Sequence, residues 1–205
     1  HQHFLFFYFP NHKTYLIYSF NMVLTKTPIC EFGKKPEFFE LKSTEGNLVN
    51  LNDVKGKNGT LIMFICNHCP YVEVVIEDLV DDCKILEKEG IRSIAIMSND
   101  TKEYPEDSFD NMINFSKKYD FNFPYVIDQT QIIAKKYDAV CTPDFFGYNR
   151  NLELQYRGRF RELRNLKPIK NGESDLLKAM KLIAKTEKGP KDQIASMGCN
   201  IKWFK

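Results

Sequence analysis

This chain lacks an apolar run long enough to span a bilayer, and it lacks a surplus of charge of either sign. The aromatic-rich start, His1 to Phe20, comes nearest to a span, but Asn11, His12 and Lys13 interrupt it well short of the length required. The 29 lysines and arginines are scattered among 27 acids for a net charge of +2, which leaves no electrostatic footprint for nucleic acid. Lys55-Gly56-Lys57 and Arg157-Gly158-Arg159 read as solvated loop or strand ends, with Arg157 and Arg159 as surface charges. No internal repeat and no low-complexity linker divides the chain. No histidine follows a Cys-x-x-Cys unit, which excludes covalent haem attachment, and no cofactor is implied. Six cysteines in 205 residues are too few for a disulfide scaffold that stands in for a core.

What remains is an ordinary globular composition. With 43% hydrophobic and 27% charged residues the chain is long enough to bury a proper core and is not disordered. Residues 1–21 have neither a basic n-region nor a small-residue cleavage site, so a secretory signal is a poor reading of them. Met22 is a natural start. The segment before it is expected to be upstream or non-native sequence, poorly ordered and without a part in function, and residues 22–205 to form one domain. The cytoplasm is the expected compartment.

From Glu37 onward the pattern is regular. Phe38 to Leu41 and Leu48 to Leu51 flank the turn Thr44-Glu45-Gly46-Asn47, which predicts a β-hairpin. Thr60 to Ile65 is a continuous apolar run of strand length, the pattern of a strand covered on both faces. A helix follows from Pro70, where the missing N–H costs nothing, to about Glu89, and stops at Gly90. Ile91 to Met97 is a second buried strand, and Ser108 caps a helix running through Tyr119 after the polar loop 98–107. A short extended segment, Phe123 to Ile127, and a short helix, Gln131 to Tyr137, come next. Asp144 to Tyr148 and Leu152 to Arg157 form a hairpin about Asn149-Arg150-Asn151. Ser174 opens an amphipathic helix through Leu176, Leu177, Met180, Ile183 and Ala184 that stops near Gly189-Pro190. Strands alternating with helices, then a hairpin and a closing helix, predict an α/β sandwich about a mixed sheet.

The chemistry concentrates at Cys66-Asn67-His68-Cys69-Pro70, between the buried strand and the helix. A helix N-terminus offers unpaired N–H groups and the positive end of its dipole, which favours thiolate over thiol. Cys83 lies on the apolar stripe of that helix and reads as a small buried hydrophobe; Cys30 sits in a polar lead-in and also reads as structural. Cys141, just before Thr142-Pro143, and Cys199, in the C-terminal tail, have more distinctive surroundings.

The order strand, cysteine motif, helix, strand, helix, then Thr142-Pro143 before a hairpin, resembles the thioredoxin-like superfamily. More closely it is similar to the alkyl hydroperoxide reductase and thiol-specific antioxidant branch, and within it to bacterial redoxin-domain proteins. The matching stretches are Gly33 to Phe38, Phe64 to Val72, Phe123-Pro124-Tyr125, Cys141 to Phe146, Tyr156 to Arg159 and Ser196 to Trp203. The resemblance implies a three-layer thioredoxin-like sandwich with a central mixed sheet, the N-terminal hairpin as an extension, and a C-terminal tail. It also places the nucleophilic cysteine five residues after an aromatic in the central strand. From Phe64 that position is Cys69, and the usual partner position three residues on is Val72, which has no thiol. The dithiol is thus displaced by one repeat.

In this register Cys69 is the expected nucleophile, with His68 as a further source of positive charge. Cys66 or Cys141 is the expected resolving thiol, and Cys199 could fold back over the site. Thr142 and Pro143, in a cis-proline loop, together with His68 and Pro70, are expected to meet the substrate, the backbone before the proline pairing with an extended segment. The implied activity is thiol-disulfide exchange on a protein or small-molecule disulfide, with a reducing dithiol as electron donor and neither nucleic acid nor membrane as partner. A thiol-dependent peroxidase is the alternative. Against it, the position three before Cys69 is Cys66 rather than threonine or serine, and Ile62 stands where peroxiredoxins carry a proline. A third reading converges Cys66, His68, Cys69, Cys141 and Cys199 on a zinc or copper ion, although the Cys-x-His-Cys spacing is no common finger pattern and no metal is assigned.

Overall fold

The computed structural model describes residues 23–205. The expectations for residues 1–21 and for Met22 lie outside the described residues. Three short strands come first: β1 (Leu24–Lys26), β2 (Glu40–Ser43) and β3 (Leu48–Asn50). The chain then enters its interior at β4 (Gly59–Phe64), buried at every position. It continues through α1 (Pro70–Glu73), α2 (Ile76–Lys88), β5 (Ile91–Met97), a single 3₁₀ turn (Pro105–Asp107) and α3 (Phe109–Lys118). Next are β6 (Tyr125–Ile127), α4 (Ile132–Lys136), β7 (Cys141–Thr142), β8 (Asp144–Tyr148) and β9 (Leu154–Tyr156). The chain closes with the small hairpin β10 (Leu163–Arg164) and β11 (Lys167–Pro168), then α5 (Asp175–Thr186) and β12 (Met197–Asn200).

The central sheet has the order β3-β2-β6-β5-β4-β8-β9. β4, β5 and β6 are parallel, and the strands flanking them are antiparallel. Alternation along each strand sorts the core into two layers. Leu61, Met63, Ala95, Met97 and Tyr125 face a cluster with Leu79, Val80, Leu86 of α2, Met112 and Phe115 of α3, and Leu176, Met180 and Ile183 of α5. Ile62, Phe64, Ile94, Ile96 and Val126 face the other side, against Phe39, Ile133 and Ala134 of α4, Tyr137 and Phe146. Each such side chain contributes roughly 1.5–3 kcal/mol by leaving water, which is why a sheet covered on both faces tolerates so unbroken an apolar run. The result is the expected three-layer α/β arrangement with a mixed sheet. Among the described residues no helix is long and apolar enough to cross a membrane.

Local signals act as read. Ser108 Oγ accepts from Asn111 N–H at 3.4 Å and Ser174 Oγ from Leu177 N–H at 2.9 Å, capping α3 and α5. Gly90 takes a φ of 76° after α2, and Gly46 one of 93° in the first hairpin, conformations that cost other residues strain. That hairpin extends the central sheet: β2 pairs with β6, and β3 forms the edge.

Three expectations need correction. The helix from Pro70 is broken at Val74–Val75, where Val75 N–H turns back to Val72 O at 3.0 Å instead of continuing the α ladder. Val72, Val74, Val75 and Ile76 crowd β-branched side chains into one turn, and their restricted χ1 angles disfavour a regular helix there. Arg157 is no surface charge: it is 4% exposed and its guanidinium reaches Asp144, fully buried, at 3.0 Å and the Asp138 carbonyl at 2.6 Å. Arg159 is part-exposed and paired with Asp175. Finally, the C-terminal tail is a strand. β12 is the middle member of a second, three-stranded sheet, β1-β12-β7.

Candidate active site at the end of the central strand

β4 ends at Phe64, and Ile65 N–H still bonds to Ile96 O at 3.1 Å, so Cys66 leaves the sheet at a fixed height. The next two residues are clamped from below. Asn67 N–H donates to Asp107 Oδ1 at 2.8 Å, its side-chain amide donates to the Glu106 carbonyl at 3.1 Å, and its Oδ1 accepts from Tyr125 O–H at 3.0 Å. His68 Nδ1 lies 2.8 Å from Asp107 Oδ2, and its ring stacks on Tyr104 with centroids 5.7 Å apart. Cys69 then occupies the N-cap of α1, its carbonyl accepting from Val72 and Glu73 N–H at 2.9 Å each, with Pro70 as first helical residue and Val72 buried within the turn.

The cap position follows the expected register, but the sulfur has closer company than the register implied. Cys69 Sγ stands 3.0 Å from Cys199 Sγ and 3.1 Å from the Thr142 carbonyl oxygen, the acceptor for its proton while the thiol is neutral. Cys66 Sγ is 3.3 Å from Thr142 Oγ1. The Thr142–Pro143 peptide bond is cis, as the resemblance implied. Alternation within β7 sends the side chains of Cys141 and Thr142 to opposite sides, and the Cys141 sulfur faces the Pro143 carbonyl at 3.7 Å. The structure therefore brings Cys69, Cys66, Thr142 and Cys199 together and turns Cys141 away from the group. Pro143 contributes backbone, its carbonyl accepting from Ser196 Oγ at 2.7 Å.

The electrostatics separate the thiols. Burial opposes ionisation of Cys69, yet hydrogen bonds from the thiols of Cys199 and Cys66, with support from the Cys199 backbone and from Thr142, outweigh it and hold its pKa well below the ordinary value. Donation to Cys69 together with burial pushes Cys199 up, and burial, donation to Cys69 and the nearby Asp107 charge push Cys66 up. Burial also raises Cys141, Cys83 to about 12, and Cys30 to about 11. Of the set, Cys69 is the thiol whose surroundings favour the ionised form. The larger stabilisation comes from neighbouring thiols, while the interrupted helix contributes only a short turn of aligned peptides. For His68, burial favours the neutral ring, but the contact with Asp107 and its charge prevail and raise the pKa.

Several residues escaped the sequence reading. Asp107 lies in a stretch read only as polar loop, yet it is fully buried and also accepts from Asn99 Nδ2 at 2.8 Å. Gln131, at a left-handed φ of 61°, reaches across to the C-terminal segment, and Ser196 and Gly198 lie against the proline loop. The polar cluster Asn99, Asp100 and Asp107 directly after a buried parallel strand was the available signal for the first of these. Atoms of Cys66, His68 and Asp107 lie within 4.8 Å of one another, a separation a metal ion could bridge. Both Asp107 oxygens accept hydrogen bonds, from Asn67 N–H and from Asn99 Nδ2, and His68 Nδ1 lies against one of them.

Comparison with known proteins agrees with this geometry. The family model described as AhpC/TSA family matches residues 32–160. The crystal structure of an uncharacterized conserved protein from Geobacillus kaustophilus is 38% identical, with a TM-score of 0.86, over 90% of this chain and 98% of that one. A hypothetical protein from Sinorhizobium meliloti 1021 is 34% identical, with a TM-score of 0.81, over 88% and 98%. Thiol-disulfide oxidoreductase ResA of Bacillus thuringiensis is 29% identical over 122 residues, 60% of this chain. This chain spans 64–66% of the length of the ResA relatives it matches, just under two thirds. The cysteine motif on its buried strand, the proline loop opposite and the layers around them agree with the family match, and the chain belongs to the AhpC/TSA family of the thioredoxin-like superfamily.

Proposed function

We propose that this protein is a thiol-disulfide oxidoreductase in which Cys69 is the nucleophile. The observation that carries the reading is the placement of Cys69 Sγ at a helix cap, with the Cys199 thiol at 3.0 Å, where neighbouring thiols donate hydrogen bonds that favour its ionised form. A thiolate is the species that attacks a disulfide sulfur, and a second thiol then releases the product from the mixed disulfide. Electrons return from a dithiol donor. The peroxidase alternative wants an arginine and a hydroxyl beside the reactive sulfur. Arg157 is committed to Asp144, while the Thr142 hydroxyl lies 3.3 Å from Cys66 Sγ and also favours the ionised form of Cys69.

Two assays test the reading. The rate of iodoacetamide alkylation at Cys69, followed against pH by mass spectrometry, should plateau well below the ordinary thiol range; a profile with an ordinary midpoint removes the thiolate. Insulin reduction in the presence of dithiothreitol should be accelerated by the protein and lost in Cys69→Ser. Hydroperoxide consumption without insulin reduction would instead establish the peroxidase.

A further inference from the structure

The backbone edge beside the cis-proline loop is already occupied. β12 runs antiparallel along β7, with Cys199 opposite Thr142 and Asn200 opposite Cys141. An extended polypeptide adding itself to a sheet edge makes such main-chain pairings, and the cysteine of a disulfide substrate would have to arrive where Cys199 stands, in contact with Cys69. The fit depends on residue 198. A Cβ there would lie 2.0 Å from the Thr142 carbonyl oxygen, 2.7 Å from its carbon and 3.2 Å from Pro143 Cδ, so only glycine lets the strand approach this closely.

The strand is fastened on both sides of Cys199. Ser196 Oγ donates to the Pro143 carbonyl, and Ser196 exchanges hydrogen bonds of 2.9 and 3.0 Å with Thr27. Beyond it, Gln131 Nε2 donates to the Lys202 carbonyl at 2.7 Å, and Lys202 N–H donates to Asn99 Oδ1 at 2.9 Å. With β12 in place Cys69 is 0% exposed and its sulfur faces Cys199, so an incoming disulfide has to replace that contact. Of the other two thiols of the region, Cys66 lies against the Thr142 hydroxyl as well as Cys69, and Cys141 faces the Pro143 carbonyl.

We propose that β12 is an internal substrate strand: it holds the substrate's place on β7 until an incoming disulfide exchanges with it, and on its return Cys199 acts as the resolving thiol. The proposal rests on the thiol-disulfide reading above and deepens it. In the first step the Cys69 thiolate attacks a substrate disulfide R–S–S–R′; the S–S bond breaks, Cys69–S–S–R forms, and R′–S⁻ leaves. In the second step Cys199 gives up its proton to solvent or to the departing thiolate and attacks Cys69 Sγ. The mixed disulfide breaks, the Cys69–Cys199 bond forms, and R–S⁻ leaves and is protonated. The substrate is reduced by two electrons and the protein is oxidised by two. A dithiol donor restores both thiols by the reverse exchange.

Dithiobis(nitrobenzoate), whose thionitrobenzoate product is coloured, separates the two steps on the full chain. The native protein should release a first equivalent as Cys69 is captured and a second as the bridge closes. Cys199→Ser should release the first and retain thionitrobenzoate on Cys69, detectable by intact mass, whereas Cys66→Ser should still release both. Gly198→Ala should speed the first release and slow the second, because the strand no longer covers the edge. Peptide mapping of the oxidised native protein should find Cys69 joined to Cys199, which keeps the test alive should a variant fold poorly. A second equivalent from Cys199→Ser together with its loss from Cys66→Ser overturns the proposal and makes Cys66 the resolving thiol. Unchanged rates in Gly198→Ala overturn the covering role. Failure of the parent reading looks different: Cys69→Ser would then release its first equivalent as fast as the native protein.

Discussion

Replacing Arg157 by methionine should be among the most damaging single changes outside the apolar core. The guanidinium sits 3.0 Å from Asp144 Oδ2 and 3.4 Å from Oδ1, donates to the Asp138 carbonyl and lies 4.5 Å over the Phe146 ring. Methionine would fill much of the apolar volume but leave the fully buried Asp144 carboxylate with backbone donors alone. Breaking one side of a buried pair in this way costs about 3–5 kcal/mol, against less than about 1 kcal/mol for an exposed pair. The pH dependence carries a definite sign. Burial already pushes Asp144 up to about 6 from an ordinary 3.8, against the opposing pull of Arg157. The folded state therefore holds this proton more tightly than the unfolded chain, and native stability falls as pH rises from about 3.8 through about 6. Without Arg157 the folded pKa moves higher still. The deficit of Arg157→Met relative to the native protein should grow as pH rises past that range and shrink toward acid, where Asp144 is neutral in both.

Urea unfolding at about pH 8 and about pH 5 reads both quantities directly. The double variant Asp144→Asn with Arg157→Met removes the stranded charge and should recover most of the loss. Thr142 and Pro143 directly precede Asp144, so the single variant should also alter the alkylation rate of Cys69. A deficit below about 1 kcal/mol, or one that is the same at both pH values, refutes the argument, because either outcome describes a solvated pair.

Two more predictions concern the support of the site. Asp107→Asn replaces a buried acceptor that faces Asn67, Asn99 and His68, and should cost about 1.5–3 kcal/mol in urea. Because the folded His68 pKa is raised, its protonation adds stability that is present below the ordinary histidine value and lost as pH rises through the folded one; the variant should lose this contribution, and an unchanged His68 titration by NMR would refute the coupling. Gln131→Asn keeps an amide that tolerates the left-handed backbone but withdraws it by one methylene from the Lys202 carbonyl and Phe204 N–H. Hydrogen exchange across residues 199–204 should accelerate, together with alkylation of Cys69, and unaltered protection there would show that Gln131 does not anchor the strand.

The sequence was informative wherever a local rule decides the outcome. An apolar run of strand length before Cys66 read as a buried strand, and serine at positions 108 and 174 marked helix starts because a side-chain oxygen there meets an otherwise unpaired N–H. Pro70 at the first helical position put Cys69 on the helix cap, and the register that the family resemblance implies from Phe64 named the same residue. The helix break at Val74–Val75 was also written locally, in a β-branched cluster that the pattern of apolar positions concealed.

The remainder depends on contacts between distant segments. Arg157 carries no mark that distinguishes it from a solvated arginine until β8 brings Asp144 beside it, and Asp107 resembles any loop aspartate until Asn67, His68 and Asn99 converge on it. By itself, then, the sequence determined the layered α/β fold, the strand-to-helix cysteine motif and the cap occupied by Cys69, because each follows from periodicity and spacing within a short window. Which sulfur would stand against Cys69 was decided only by the tertiary structure. Cys199 is 130 residues away along the chain, and it arrives because β12 pairs with β7 across a contact that Gly198 alone makes close enough.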